Sequence, residues 1–240
     1  MQVLDLFSGI GGASLGLHWA GMRTIAFCEQ DKYCRRILQK HWPDTPAYTD
    51  IRTLTAARLR TDAVPPPDIV VGGFPCQDIS LAGRAAGIQG PRSSLWTHME
   101  RLVAECRPRW VVAENVPGLR SRGADRVCAG LETLGYTVWP LVVGAVHAGA
   151  PHRRQRAWLV ARSHAPDPPS PRLEMGQHSP APTPPGLPPE RRGRWPPEPG
   201  LRRVGHGLPA RVDRIKALGN AIVPTTMAMI GRAILAADPQ

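Results

Sequence analysis

Short, continuous apolar runs alternate along this chain with segments whose apolar residues recur every three or four positions. Val3-Leu4-Asp5-Leu6-Phe7 is the first such run, of the length and composition of a buried strand. It ends at Ser8-Gly9-Ile10-Gly11-Gly12, after which Leu15, Leu17 and Ala20 continue on helical spacing as far as Gly21. Residues 24–27 predict a second strand with Glu29 just past its end. Asp31 then caps a helix that carries Tyr33, Cys34, Ile37 and Leu38 on one side. A turn at Trp42-Pro43-Asp44 leads to Asp50-Ile51. Residues 68–71 predict a third strand, which Gly72-Gly73 breaks so that Phe74-Pro75-Cys76-Gln77 leaves from its carboxyl end. Ser93 caps a helix with Leu95, Met99, Leu102, Val103 and Cys106 on its apolar face, and Trp110-Val111-Val112-Ala113 delivers Glu114-Asn115-Val116-Pro117 to the same edge as Cys76. A helix over about 123–134 and strands near 137–143 and 157–161 complete the pattern. Strands alternating with helices predict an α/β fold, a Rossmann-like sheet with helices on both faces.

That pattern stops near Arg162. From there to Arg203 the chain is dominated by Pro, Ser, Gly and Arg with little aliphatic periodicity, which predicts an irregular, partly disordered region unable to build a core of its own. Order returns over 206–220, and Pro224 begins a helix with Met227, Ile230, Ile234 and Leu235 on one face. The expected organisation is one large domain from residues 1–162 and 206–240, its last helix packed back on it, with residues 163–205 as a short Pro/Arg-rich region. The chain contains no internal repeat.

Composition narrows the partners. The 240 residues carry a net charge of +11, almost wholly as arginine, since Lys32, Lys40 and Lys216 are the only lysines. Arginine pairs bidentately with phosphate and with guanine edges, which favours nucleic acid; a GC-rich coding bias produces the same excess. Five scattered cysteines (Cys28, Cys34, Cys76, Cys106 and Cys128) include no close pair suited to zinc or dithiol chemistry, and reduced thiols in a cytosol are expected. No run of about 18 apolar residues predicts a membrane span.

Ligands of an open α/β sheet bind in the crevice beyond the strand ends, and several chemically capable groups converge there. The glycine loop lets the backbone approach a cofactor closely, although a tight turn in any α/β protein has the same composition. Glu29 stands where an acid accepts hydrogen bonds from ribose hydroxyls. Cys76, read alone, is a small buried hydrophobe, but at a strand end beside Glu114 it is a candidate nucleophile. In Pro151-His152-Arg153-Arg154-Gln155-Arg156 strand alternation puts Arg154 and Arg156 on one side, and that side is either the cleft or a solvated basic face. Residues 81–91, rich in Gly and Ala without periodicity, read as a mobile active-site loop or a long connector.

Taken in order, the Asp5 to Gly12 loop, Glu29, Asp50-Ile51, Phe74-Pro75-Cys76-Gln77, Glu114-Asn115-Val116, Arg154-x-Arg156 and Gly219-Asn220 resemble the motifs of the DNA cytosine-5 methyltransferases of bacteria and bacteriophages. The resemblance covers about residues 1–162 and 206–235. It implies a fold that binds S-adenosylmethionine and a reaction in which Cys76 adds to C6 of an extruded cytosine. It further implies that Glu114 holds N3 and the amine, that Arg156 with Arg154 fixes the ring, and that Asn115 holds the Pro75-Cys76 loop. Phe7, Gly9, Ile10, Gly11, Glu29, Asp50, Ile51, Pro75, Leu95 and Asn220 become the cofactor contacts. Gln77, Ser80, Arg84, Arg92, Arg194 and Trp195 become the DNA contacts, and no metal is implied. The implied setting is a monomeric cytoplasmic enzyme acting on double-stranded DNA, alongside a cognate restriction endonuclease.

Three departures bear on this reading. His152 stands where the family usually has glutamine; 208–214 replaces the Arg- and Thr-rich stretch that normally precedes Gly-Asn; and the target-recognition region shrinks to about 162–205. Two other activities therefore stay in view: cytosine-5 methylation of tRNA by the same fold, and DNA binding by a vestigial methyltransferase.

Overall fold

The computed structural model describes residues 1–75, 95–150, 152–164 and 211–238. The first half of the chain forms β1 (Gln2–Leu6), α1 (Gly12–Trp19), β2 (Arg23–Cys28), α2 (Lys32–His41), β3 (Ala47–Tyr48), α3 (Ala56–Thr61) and β4 (Ile69–Gly73). It continues with α4 (Leu95–Cys106), β5 (Trp110–Asn115), α5 (Leu119–Arg122), α6 (Ala124–Thr133), β6 (Tyr136–Gly144) and β7 (Gln155–Ser163), then α7 (Arg211–Asn220) and α8 (Pro224–Ala237). One seven-stranded sheet runs in the order β3-β2-β1-β4-β5-β7-β6. Neighbours from β3 to β5 are parallel, whereas β7 runs antiparallel to both β5 and β6. The expected α/β sheet is therefore present, with one reversed strand that hydrophobic pattern alone does not reveal. The sequence pattern also misses β3, α3 and α5, each too short for a period to develop. Ser93, expected to cap α4, lies outside the described residues, as does nearly all of 163–205.

Strand alternation divides the core between the two faces of the sheet. Leu4, Leu6, Val70, Val111 and Leu159 pack with Met99, Leu102 and Leu131 of α4 and α6. Val3, Ile69, Val71, Val112 and Trp158 pack on the other face with Leu17 of α1 and Met227, Ile230 and Ile234 of α8. Asp5 belongs to the second face by the same alternation, and is buried. Ser14 Oγ on α1 donates to Asp5 Oδ2 at 2.6 Å, and Thr24 Oγ1 on β2 donates to Ser14 Oγ at 2.8 Å. Burial pushes the Asp5 carboxyl up to about 7 despite these donors.

Helices α1 and α8 approach so closely that glycine is required between them. A Cβ built at Gly12 would lie 2.2 Å from the Ile222 carbonyl oxygen, and one at Gly16 would lie 2.3 Å from the Pro224 carbonyl oxygen. At the far end of α8, the buried Asp238 accepts from Arg109 Nη1 at 2.9 Å and faces Arg162 Nη2 at 3.5 Å. An 18-residue stretch within 212–237 reaches a mean hydropathy of 1.3, but α7 and α8 are separated by Ala221-Ile222-Val223, and the apolar face of α8 is occupied by the sheet and α1.

Candidate active site and cofactor cleft

From β1 the sheet grows one way through β2 and β3 and the other way through β4 and β5, so the strand order reverses at the β1/β4 pair and a crevice opens beyond their carboxyl ends. A cleft of about 630 Å³ occupies that position, a size suited to a nucleoside-containing cofactor. Of the ten residues expected to touch a cofactor, eight line it: Phe7, Gly9, Glu29, Asp50, Ile51, Pro75, Leu95 and Asn220. The other two, Ile10 and Gly11, belong to the same loop but not to the wall. Gly11 forms the N-cap of α1 at φ 85° and turns toward Trp42, whose ring atom Cζ3 would lie 2.6 Å from a Cβ there.

Phe7 and Gly9, both left-handed at φ 54°, shape the loop after β1 together with Gly11. A Cβ on Gly9 would meet no atom within 4 Å, so the backbone keeps open the space that a side chain would fill. The Gly9 amide donates to Glu29 Oε2 at 2.7 Å, and the Asp31 amide donates to Glu29 Oε1 at 2.7 Å. Each carboxylate oxygen has a second lone pair, so Glu29 can anchor the loop and still accept from a diol. Asp50 is held by Arg52: Nε lies 2.9 Å from Oδ1, Nη2 lies 2.8 Å from Oδ2, and the Arg52 amide donates to Oδ1 at 2.9 Å. This pairing holds the Asp50 carboxyl below the usual carboxylate range. Between acids and apolar Ile51, Leu95 and Phe7, the cleft offers acceptors for hydroxyl and amino donors and a greasy slot for a flat ring. That lining fits an adenosine carrying a cationic sulfonium.

The other half of the cleft is built on β4 and β5. Gly73 and Glu114 are register partners, and a Cβ at Gly73 would stand 3.1 Å from Glu114 Oε2, so glycine there leaves room for the acid. Arg156 Nε on the neighbouring β7 pairs with Glu114 Oε1 at 2.9 Å. Burial nevertheless pushes Glu114 up to about 7, with Arg156 and Arg154 opposing the rise. Asn115, also buried, donates from Nδ2 to the Phe74 carbonyl at 3.2 Å and accepts from the Val116 amide at 2.8 Å, tying the end of β5 to the segment that leaves β4.

Arg154 is held by contacts that its place in the sequence does not announce. It precedes β7 and has φ 22°, so strand alternation does not place it, although it stays near enough to feel the charges of Arg156 and Glu114. Its Nη2 instead donates to the carbonyls of Gly219 at 2.8 Å and Ala221 at 2.7 Å, and it acts on Glu114 only at longer range. Cys76, Gln77, Ser80, Arg84, Arg92, Arg194 and Trp195 lie outside the described residues. The described wall contains two other thiols, Cys28 and Cys34. Burial, with Glu29 next to them, pushes both up to about 12, so neither supplies a thiolate.

Sequence reasoning missed Arg52, Asp213 and Lys216 in the wall. Arg52 sits two residues from Asp50, and Lys216 is one of only three lysines, but their roles depend on contacts that no local pattern announces. Among the described residues no three His, Cys, Asp or Glu side chains gather as metal ligands do.

Residues 1–182 match the family model of the C-5 cytosine-specific DNA methylases. The type II methyltransferase M2.BsuMI of Bacillus subtilis is 38% identical over 169 residues, which is 67% of this chain and 42% of that one. The type II methyltransferase M.AquIA of Picosynechococcus is 34% identical over 175 residues, covering 66% of this chain and 71% of the relative. An E. coli prophage protein, described as a DNA modification methyltransferase, superposes with a TM-score of 0.58 at 29% identity, covering 68% of this chain and 47% of the other. The chain spans about half the length of several curated relatives, 42% of M2.BsuMI and 50% of M.NgoBI from Neisseria gonorrhoeae.

Proposed function

This chain belongs to the C-5 cytosine-specific DNA methylases, and from that premise we propose that it methylates C5 of a cytosine extruded from double-stranded DNA, with S-adenosylmethionine as methyl donor. The observation that carries the reading is the buried Glu114 on β5, paired with Arg156 of β7 and next to β4, the strand that leads through Pro75 toward Cys76. Cytosine C5 is too electron-poor to attack a sulfonium methyl unaided. The Cys76 thiolate adds to C6 as Glu114 gives its proton to N3, so electron density accumulates at C5. Once C5 carries the methyl group, a base takes the C5 proton, Cys76 departs as the thiolate and N3 returns its proton to Glu114, which restores the aromatic ring. Arg156 keeps Glu114 directed at the base, and Asn115 fixes the Phe74 carbonyl ahead of the Pro75-Cys76 segment. Glu29 and Asp50 take the ribose and adenine of the donor, which when bound supplies an electrophilic methyl group. The base is buried in a duplex and must be swung out, at a cost of a few kcal/mol. Monomeric action, a cytoplasmic place and a paired restriction endonuclease go with this reading.

The test uses the intact chain, labelled S-adenosylmethionine and a pool of random-sequence duplexes with 5-fluorocytosine at every cytosine. Fluorine at C5 cannot leave as a cation, so an adduct that has received the methyl group is trapped. The expected result is a denaturant-stable, labelled protein–DNA species whose crosslinked peptide contains Cys76. Trapping on fluorinated RNA alone would move the activity to RNA. DNA binding with no adduct on either polymer would leave a binding protein with a vestigial site.

A further inference from the structure

Helix α7 forms one wall of the cleft through Asp213, Lys216, Ala217, Gly219 and Asn220, yet of its described side chains only Ala217 is buried. Val212, Ile215 and Leu218 are 78%, 61% and 66% exposed. Burial of one small side chain contributes too little apolar area to fix a ten-residue helix. Its position therefore depends on polar ties, and two of them stand at different points along it.

The first tie is on the cofactor side. Lys216 Nζ donates to Asp31 Oδ2 at 2.7 Å. The other Asp31 oxygen accepts from the Tyr33 and Cys34 amides at the start of α2, and the Asp31 amide donates to Glu29. Lys216 is thus joined, through one residue, to the carboxylate that holds the glycine loop. The second tie is on the base side, where one Arg154 nitrogen takes the carbonyls of Gly219 and Ala221. These two carbonyls flank Asn220, so the contact fixes the backbone on both sides of the residue that faces the cleft.

We propose that α7 is the closing wall of the cofactor cleft and that Arg154 and Lys216 are the positioning residues that seat it, Arg154 by framing Asn220 and Lys216 by holding the helix to the ribose-side acids. The proposal rests on the cofactor assignment made above. It gives Arg154 work in cofactor binding rather than at the cytosine ring, and it links the two halves of the cleft: whatever displaces the segment before β7 also loosens the wall around the cofactor.

The experiment is calorimetric titration of S-adenosylhomocysteine, without DNA, into the unmutated chain and its Arg154→Ala, Arg154→Lys, Lys216→Met and Arg154→Ala/Lys216→Met forms. Loss of a charged donor to two carbonyls is expected to weaken binding by about tenfold in Arg154→Ala, with Arg154→Lys recovering part of the loss. Lys216→Met is expected to cost about threefold, the range of a solvent-exposed ion pair, and to flatten the dependence of affinity on salt. The double variant should lose less than the product of the two, because each tie presupposes a seated helix. Melting midpoints report folding separately, and if Arg154→Ala does not fold, Arg154→Lys and Lys216→Met carry the test. Variants that fold and bind as tightly as the unmutated chain would overturn the seating role. An unmutated chain that binds no S-adenosylhomocysteine would instead overturn the cofactor assignment itself.

Discussion

Replacing Glu114 by glutamine is expected to lower kcat by about two to three orders of magnitude, the usual worth of a positioned general acid, while leaving the affinity for S-adenosylhomocysteine within about twofold. Glutamine fills the same volume, and its carbonyl oxygen can still accept from Arg156 Nε, so the change removes the proton rather than the packing. The cofactor contacts lie outside β5, in the loops after β1 to β4 and on α4 and α7, which is why binding of the cofactor and turnover should separate. The pH dependence gives a second readout. Glu114 is raised by burial from 4.5 to about 7, so it holds its proton through the weakly acid range and loses it as pH rises through about 7. The profile of kcat/KM for DNA should therefore carry a falling limb near 7, and Glu114→Gln should abolish that limb.

Stability obeys the same sign. Between the unfolded value of 4.5 and the folded value of about 7 the native state binds a proton that the unfolded chain does not. Its stability therefore falls as pH rises across that window. The Glu114→Gln variant should melt with a flatter pH dependence over the same range. A variant that keeps kcat within a few-fold of the unmutated enzyme would remove Glu114 from the chemistry. One that loses cofactor binding in parallel would show that the substitution had damaged the cleft.

Glu114 was legible in the sequence because three local signals coincide on it: a buried apolar run before it, the Asn115-Val116-Pro117 segment after it, and the strand end that any α/β sheet turns toward its ligand. Glu29 is legible for the same reason, lying just beyond β2, whereas Asp50 follows a strand too short to read and came only from the order of the motifs. What was not legible is how these residues are held. Lys216 and Asp31 are 185 positions apart, and Arg154 reaches carbonyls 65 and 67 positions away. Neither contact leaves a periodicity or a spacing to read. Arg154 marks where a local rule stops applying: alternation is defined within β7, and the strand begins one residue later, at Gln155. The antiparallel direction of β7 escaped for a related reason, since a fully buried strand has the same pattern whichever way it runs.

A Gly16→Ala substitution is expected to destabilise the fold by about 3 kcal/mol, at the upper end of the cost of overpacking, and to lower the melting midpoint by roughly 6–12 °C in a domain of this size. Helix propensity alone predicts the opposite sign, because Ala in a helix interior is favoured over Gly by about 1 kcal/mol. Position 16 lies within α1, so the two effects compete directly, and the contact distances decide between them. The added Cβ would stand 2.3 Å from the Pro224 carbonyl oxygen and 3.0 Å from the Ala228 amide nitrogen, backbone atoms of the first turns of α8 that no rotamer change can withdraw. Gly231 provides the graded comparison. A Cβ there would meet Ala20 Cβ and Leu17 Cδ2 at 3.0 Å, so the neighbours would have to give by only a few tenths of an ångström and Gly231→Ala should cost less than Gly16→Ala. The consequence extends to the cleft, since Pro224 lies three residues after the Ala221 carbonyl that Arg154 holds. Pushing α8 away from α1 therefore pulls on the wall around the cofactor, and Gly16→Ala should weaken S-adenosylhomocysteine binding as well as lower the melting midpoint. A Gly16→Ala protein that melts higher than the unmutated chain would mean that α8 does not seat on α1 at this distance, and the return of the C-terminal helix to the cofactor loop would have to be redrawn.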